Sequence, residues 1–413
     1  MFGLSKRTIS LAAAAVFALV SSTLSAQPVA SSQIAPSQNP AYQCQASNGY
    51  APDFAGRRTF LWRPQWLEAI AEDKDRRKGA ITEAGKALKR GPYSVTDKGA
   101  LVPGATAHDY TSIGPYWWPD RGKKDGLPYK RRDGEVNPER NGPNFDKNRL
   151  TQLGADMEAL SVGYYLTGDD RFAQHAALLV RAWFLDPATR MSPNMDFAQG
   201  IPGRVNGRGE GIIEASDFST VIEAVGLIAP SGALSDQEHQ RLKSWFAQFA
   251  KWMATSENGA AEMRKTNNHG VFYDFYLAHF ALFAGIDSVT ANVARNFPEY
   301  RLARQMDKQG RFIAELKRTR SWHYSNYLMG GAGRLATIGE CVGEDLWNHQ
   351  LDDGRGLQTS IRFLDEYSDK LETWPFKDHD LAAKRLDRMN RIHSIVDTLF
   401  ARGRRFPPGS ELP

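Results

Sequence analysis

The sequence predicts an all-α protein, built of helical hairpins stacked into an (α/α) toroid or barrel with long loops lining a substrate groove. Three observations carry this. Apolar side chains recur at spacings of three and four, several such runs are joined in pairs by short polar turns, and period-two runs bounded by hairpin turns are almost absent. Helix pairs of that kind close into toroids or extend into solenoids, and a large all-α barrel fits best. The composition is that of a globular chain, with 413 residues, 41% hydrophobic, 24% charged and a mean hydropathy of -0.48. It excludes disordered, fibrous and disulfide-scaffold classes. A polytopic membrane protein is excluded too, because only the first 26 residues are persistently apolar.

Those first residues have the layout of a secretory signal. Lys6 and Arg7 precede the apolar run Leu11 to Val20, and the small residues Ser25 and Ala26 follow. About ten apolar residues are too few to span a bilayer. Residues 1–26 are therefore expected to be removed, leaving a periplasmic or secreted protein with no membrane segment. Removal takes two cations and no acid, lowering the net charge from +5 to +3. Basic residues are interleaved with acids, so nucleic acid is not expected as a partner, whereas an anionic polysaccharide is compatible. Export places Cys44 and Cys341 in an oxidising compartment. A bond between them would tie down the N-terminal arm, but sequence alone leaves the bonded and free states open.

Residues 27–55, rich in Ser, Gln, Pro and Asn, read as an irregular arm. Residues 56–405 read as one helical domain and 406–413 as a tail. Pro64 suits a first helical position. A helix ending at Leu166, a Thr-Gly-Asp-Asp turn over 167–170, and a second helix carrying Phe172, Ala176, Leu179 and Trp183 on one face form the clearest hairpin. The unit recurs at Val221 to Ile228, where a Pro-Ser-Gly break precedes the capping pair Ser235 and Glu238 and the apolar stripe Leu242, Trp245, Phe246, Phe249 and Trp252. Asn267 and Asn268 precede a helix with Phe272, Tyr276, Phe280 and Phe283. A stretch from Leu328 to Ile338 and a last amphipathic helix through Leu386, Ile392 and Val396 complete the set.

Two polar, aromatic-rich connections interrupt the helices, at 104–149 and 190–214. Segments this long inside a compact domain are usually functional, and both read as groove walls. The residues able to carry chemistry follow both segments. Asn267, Asn268 and His269 open a helix, whose positively polarised N-terminus favours bound anions and a neutral imidazole. The run from Glu315 to Tyr327 places Arg318 and Arg320, which can fork onto a carboxylate, close to His323, Tyr324 and Tyr327. Together these supply what elimination from a uronate polymer requires. Amides and guanidinium groups neutralise the C5 carboxylate, while His and Tyr move the protons.

In this order Asn267-Asn268-His269 and Glu315-Leu316-Lys317-Arg318 through Tyr324-Ser325-Asn326-Tyr327 resemble the signature of the alginate lyases of polysaccharide lyase family five. Tyr116-Trp117-Trp118-Pro119-Asp120, Arg132-Asp133-Gly134-Glu135-Val136-Asn137-Pro138 and Met191-Ser192-Pro193-Asn194 are similar to the wider alginate-lyase superfamily. The resemblance spans roughly residues 60 to 380. It implies an (α/α) toroid that cleaves a polyuronate, with Asn268 on the carboxylate, His269 as base or its assistant, and Tyr324 as acid or, for mannuronate, as both acid and base. Arg318 would neutralise charge. The spacing to Tyr324 is one residue shorter than the family-five pattern, so Arg320 is kept as the alternative. The 104–149 segment is closer to the superfamily relatives, some of which cleave glucuronan, so alginate leads as substrate and glucuronan follows.

Asn267, Tyr116, Trp117, Trp118, Arg132, Gln199, Arg204, Arg208, Arg320, His323, Tyr327 and Trp374 complete the expected substrate-binding set, the tryptophans as sugar-stacking platforms. Neither metal nor cofactor is expected, because side chains carry the protons, and the enzyme is expected to act as a monomer. Two other classes stay in view. An (α/α)-barrel glycoside hydrolase would need two facing carboxylates, for which Asp133, Glu135, Glu210 and Glu214 are candidates. A non-catalytic carbohydrate-binding protein would bind oligosaccharide without turnover.

Overall fold

A computed structural model describes residues 42–384, Asp133 and Asp369 excepted. The signal-like segment 1–26, the first part of the arm, the helix expected through Leu386, Ile392 and Val396 and the C-terminal tail lie outside the described residues. The major helices are α1 (Pro64–Glu72), α2 (Lys74–Ala87), α3 (Lys147–Thr167), α4 (Asp170–Val180), α5 (Ser216–Ile228), α6 (Asp236–Thr255), α7 (Glu257–Met263), α8 (Asn268–Ala284), α9 (Asp287–Phe297), α10 (Ser321–Gly339) and α11 (Leu357–Ser368).

Local sequence sets their limits. Pro64, which lacks a backbone N–H, starts α1 at the first position, where no N–H is needed. The carbonyl end of α3 is closed by Gly168 at φ 70°, and Asp169 then accepts the N–H of Arg171 to start α4. Ser235 and Glu238 form the expected reciprocal cap of α6, a motif worth about 1 kcal/mol. Phe172, Ala176, Leu179 and Trp183 are all buried, as their spacing requires.

Helices α3, α5, α8 and α10 pack each on the next, and α2, α4, α6 and α9 cover them from outside. This is the inner and outer ring of an (α/α) toroid. The inner position of α8 shows in its burial, since every residue from Gly270 to Phe283 is buried. Phe184, Phe218, Trp245, Phe246, Phe249 and Phe280 interlock between the rings, with Trp245 stacked on Phe249 at 5.3 Å. Each such side chain contributes roughly 1.5–3 kcal/mol of burial.

Polar ties lock the arm to this core. The buried carboxylate of Glu223 on α5 accepts backbone N–H groups of Phe60, Leu61 and Trp62 and, at 3.0 Å, the ring of His279 on α8. Cys44 and Cys341 are bonded across 297 residues, joining the arm to the end of α10.

The two long connections are not wholly irregular. β1 (Thr111–Ile113) pairs in parallel with β4 (Phe197–Gly200), and β2 (Trp117–Trp118) pairs antiparallel with β3 (Lys130–Arg131). Strands of two to four residues are too short to show a period in sequence. Through the β1–β4 pair the segments become one platform over one mouth of the helical rings.

Candidate active site

The platform meets α8 and α10 at their N-termini. Tyr116, beside β2, places its phenol oxygen 2.9 Å from that of Tyr324 in the first turn of α10. The Arg318 guanidinium lies over the Tyr324 ring, 3.7 Å from its centre. Gly134 abuts Thr319, so the first segment also covers the turn before α10. From the second segment, Glu210 pairs at 2.7 Å with Lys265, just ahead of α8. Gly209 packs so closely on Asn258 and Ala261 that a Cβ would stand 2.6 Å from the Asn258 carbonyl oxygen.

His269 is half-buried at the start of α8, and its Nδ1 lies 2.5 Å from a carboxylate oxygen of the buried Glu262 on α7. With Nδ1–H donated there, Nε2 carries the lone pair that a general base uses. The turn between α7 and α8 is pinned from behind. Arg301 donates to the carbonyls of Met263 and Lys265 and is held by Asp274 at 2.7 and 2.8 Å. Burial pushes the Asp274 carboxyl above its usual range, and the Arg301 contacts oppose that rise. A side chain on Gly270 would collide with both Arg301 and the Lys265 carbonyl, which explains glycine after His269.

Asn268 is 2% exposed. Its backbone N–H and side-chain amide both donate to Glu315, at 2.6 and 2.9 Å. Burial raises the Glu315 carboxyl above its usual range, and the Asn268 bonds, Arg318 and His269 pull it back. Glu315 thus links the Asn-His pair to the Arg318 turn. Asn267 is the N-cap, accepting the His269 N–H at 3.2 Å.

The remaining expected residues divide. Arg204 lies over the Trp117 ring at 5.5 Å and Arg132 over Trp118 at 5.1 Å, making two cation–aromatic pairs on the platform. Gln199, buried and at φ 47°, accepts Arg208 through its side-chain and backbone oxygens, both at 2.9 Å. That left-handed backbone on a non-glycine residue holds Arg208 in place. Burial lowers the Arg208 guanidinium below its usual range, opposed by the acids Glu210, Glu262 and Glu214. His323 stacks on Tyr327, which in turn stacks on Phe272 of α8 at 4.3 Å.

Three expectations are corrected by this geometry. Asn268, expected on the substrate carboxylate, is buried and gives its side-chain amide to both oxygens of Glu315, so it holds the turn and not the ligand. Trp374 is only 3% exposed, packed against Trp322, Tyr367 and Phe376 and donating to Ser321, so it offers no face to a sugar. Its Trp-Pro context carried no sign of this burial. Arg320 is turned to the C-terminal side and paired with Asp380 at 2.6 Å, which leaves Arg318 as the guanidinium at Tyr324.

Glu262, Arg301 and Asp274 were not legible as site residues. Glu262 stands seven residues before His269, and no motif joins the two. The carboxylates considered for a hydrolase differ in their surroundings. Glu214 is buried against Arg140, Tyr110 and Ser112, Glu210 is paired with Lys265, Glu135 is exposed, and Asp133 lies outside the described residues. Among the described residues no cluster of His, Cys, Asp and Glu is gathered as a metal site, and no helix is long and apolar enough to cross a membrane.

A helical toroid with a Tyr-Arg-His-Asn cluster under a loop platform at one mouth defines a polysaccharide lyase. The chain belongs to the alginate lyase family, whose profile, described as Alginate lyase, matches residues 94–374. A crystal structure of an alginate lyase from Bacteroides ovatus is similar with a TM-score of 0.74 and 33% identity, covering 86% of this chain and 97% of that one. A variant of alginate lyase A1-III complexed with tetrasaccharide gives a TM-score of 0.48 at 16% identity, covering 75% and 82%. Alginate lyase A1-III from Sphingomonas species A1 gives 0.46 at 16% identity, with the same coverage. No curated protein matches the sequence.

Proposed function

We propose that the enzyme cleaves alginate, with polymannuronate preferred, by β-elimination that leaves a 4,5-unsaturated uronate at the new non-reducing end. The observation that carries this reading is the placement of Tyr324 between the Arg318 guanidinium and the Tyr116 phenol, with the Glu262-held His269 on the adjoining helix start. The C5 proton of a uronate is acidic enough to remove only when its carboxylate charge is neutralised. Arg318 supplies that charge, while the first N–H groups of α8 and the Asn268 amide are given to Glu315 and Asn267 and so fix the helix start beside it.

A base then takes the C5 proton, the electron pair forms the C4=C5 bond, the C4–O4 bond breaks, and O4 receives a proton. In mannuronate the C5 hydrogen and O4 lie on one face, so Tyr324 serves both ends of the step and His269 holds the proton balance. The Trp117–Arg204 and Trp118–Arg132 pairs bind neighbouring sugars by stacking and by charge.

The signal-like N-terminus and the Cys44–Cys341 bond support a periplasmic or secreted enzyme. The test is ultraviolet absorbance during incubation with polymannuronate, polyguluronate and glucuronan in separate vessels. The fastest rise is expected with polymannuronate. A rise confined to glucuronan would move the substrate to another polyuronide, as the long 104–149 platform favours. New reducing ends without absorbance would overturn elimination.

A further inference from the structure

A cavity of about 530 Å³ lies between α6, the stretch around Thr106 and His108, and the loop that follows α4. None of the catalytic residues lines it. Its walls carry two arginines and a histidine and no acid, although the chain has 47 acidic residues. Such a volume falls within the roughly 300–1,000 Å³ of small-ligand sites.

Arg241, Ser244, Trp245 and Gln248 share one face of α6, at spacings of three and four residues. Arg190 faces them from the loop. Among the described residues neither arginine pairs with a carboxylate. Of the acids near them in sequence, Glu238 pairs with Arg181 at 2.5 Å, Asp109 accepts the N–H and hydroxyl of Thr106, and Asp186 accepts the Ala188 N–H. His108 donates Nδ1–H to the Arg190 carbonyl at 2.7 Å, which leaves Nε2 as its second polar atom.

The walls are preformed. Trp245 donates to the Met191 carbonyl at 2.8 Å, and Arg241 donates to the Leu185 carbonyl. Phe184, Leu185, Met191 and Trp245 lie buried behind the wall, so the accessible lining is polar, with Ser192, Ser244 and Gln248 beside the two guanidinium groups, and it matches a hydroxylated ligand bearing a carboxylate, an acidic sugar. The serine hydroxyls and the Gln248 amide bond sugar hydroxyls while the arginines take the charge.

We infer that this cavity is a second binding site for short acidic oligosaccharides, held by Arg190 and Arg241. The choice of a uronate as the acidic sugar rests on the function proposed above. The test is calorimetric titration of the full-length mature chain carrying Tyr324→Phe, with a saturated mannuronate trisaccharide as probe and a neutral mannose trisaccharide as control. Two binding events per chain are expected with the acidic probe, and one after adding Arg190→Ala and Arg241→Ala. Either substitution alone should weaken the second event about tenfold.

Arg190→Lys with Arg241→Lys should restore part of the affinity, which separates lost charge from lost folding, and Gln248→Arg should strengthen it. Arginine-independent binding, a single event in the parent protein, or equal binding of the neutral sugar would overturn the site. Failure of the lyase reading is read separately, as absence of ultraviolet-absorbing product from every polyuronate. Retardation of the same variants in polymannuronate gels assigns the site to internal polymer if it drops with the arginines, and to released products if only trisaccharide binding is lost.

Discussion

Tyr116 and Tyr324 share a hydrogen bond of 2.9 Å between their phenol oxygens, although 208 residues separate them. One stands on a loop platform and the other in the first turn of an inner helix. The proposed acid–base tyrosine is therefore held by two independent parts of the fold.

Replacing Tyr116 by Phe removes that partner but keeps the ring. A fall in kcat of about tenfold to a hundredfold is expected, with a displaced alkaline limb of the pH–rate profile. Tyr324→Phe should abolish turnover with the circular dichroism spectrum unchanged. Steady-state rates on polymannuronate check both, and an active Tyr324→Phe enzyme would remove Tyr324 from the chemistry.

In the proposed mechanism Glu262 acts through His269, which it holds at 2.5 Å. In Glu262→Gln the amide still fits the site, but the charge that orients the imidazole is gone. A drop in kcat of about tenfold or more with little change in KM is expected, whereas His269→Ala should lose turnover outright. Equal effects on kcat and KM would point to a substrate-binding role instead.

Trp374, read from sequence as a sugar platform, is a packing residue. Trp374→Ala should lower stability by about 3–5 kcal/mol through the cavity it leaves, while KM of the folded enzyme stays at its original value. Denaturant titration alongside kinetics tests this, and a raised KM at full stability would return Trp374 to the groove.

Acid should loosen the outer ring near the start of α6. Burial, with Lys243 and Arg58 adding to it, lowers the His239 imidazole from 6.5 to about 4. A depressed folded-state value means stability that is complete above pH 6.5 and lost as pH falls toward 4. The loss is on the order of 3 kcal/mol, because the unfolded chain binds the proton first. Denaturation midpoints at pH 7 and pH 4.5 should converge in His239→Phe relative to the parent. An unchanged pH dependence would clear His239 of the role.

The helical part of this fold was legible because its signals are local. Ser235 with Glu238, Gly168 after Leu166, and the stripe from Phe172 to Trp183 each state an element within a few residues, and each formed. The site was legible where its residues cluster, as at Asn267 to His269 and Arg318 to Tyr324. It was hidden where a partner arrives from another element with no motif to announce it. Glu262 beneath His269 and Arg301 beneath the α7–α8 turn are of that kind. Trp374 and Arg320 went astray for the converse reason, since their sequence neighbourhood gives chemistry but not direction.

Disulfide loss should be felt globally. Cys341→Ser is expected to cost about 2–5 kcal/mol, measured as a shift in denaturation midpoint, because the bond closes a loop of 297 residues.

The same bond constrains manufacture. Cys44 belongs to the leading end of the chain and Cys341 to its trailing third, so a thiol that leaves the ribosome early must wait for nearly all of the toroid before its partner exists. With only two cysteines in the sequence there is no wrong partner within the chain to meet meanwhile. Oxidation can therefore act as a final latch, set once the rings have closed, and a stalled or shortened polypeptide carries a bare thiol that quality control can read.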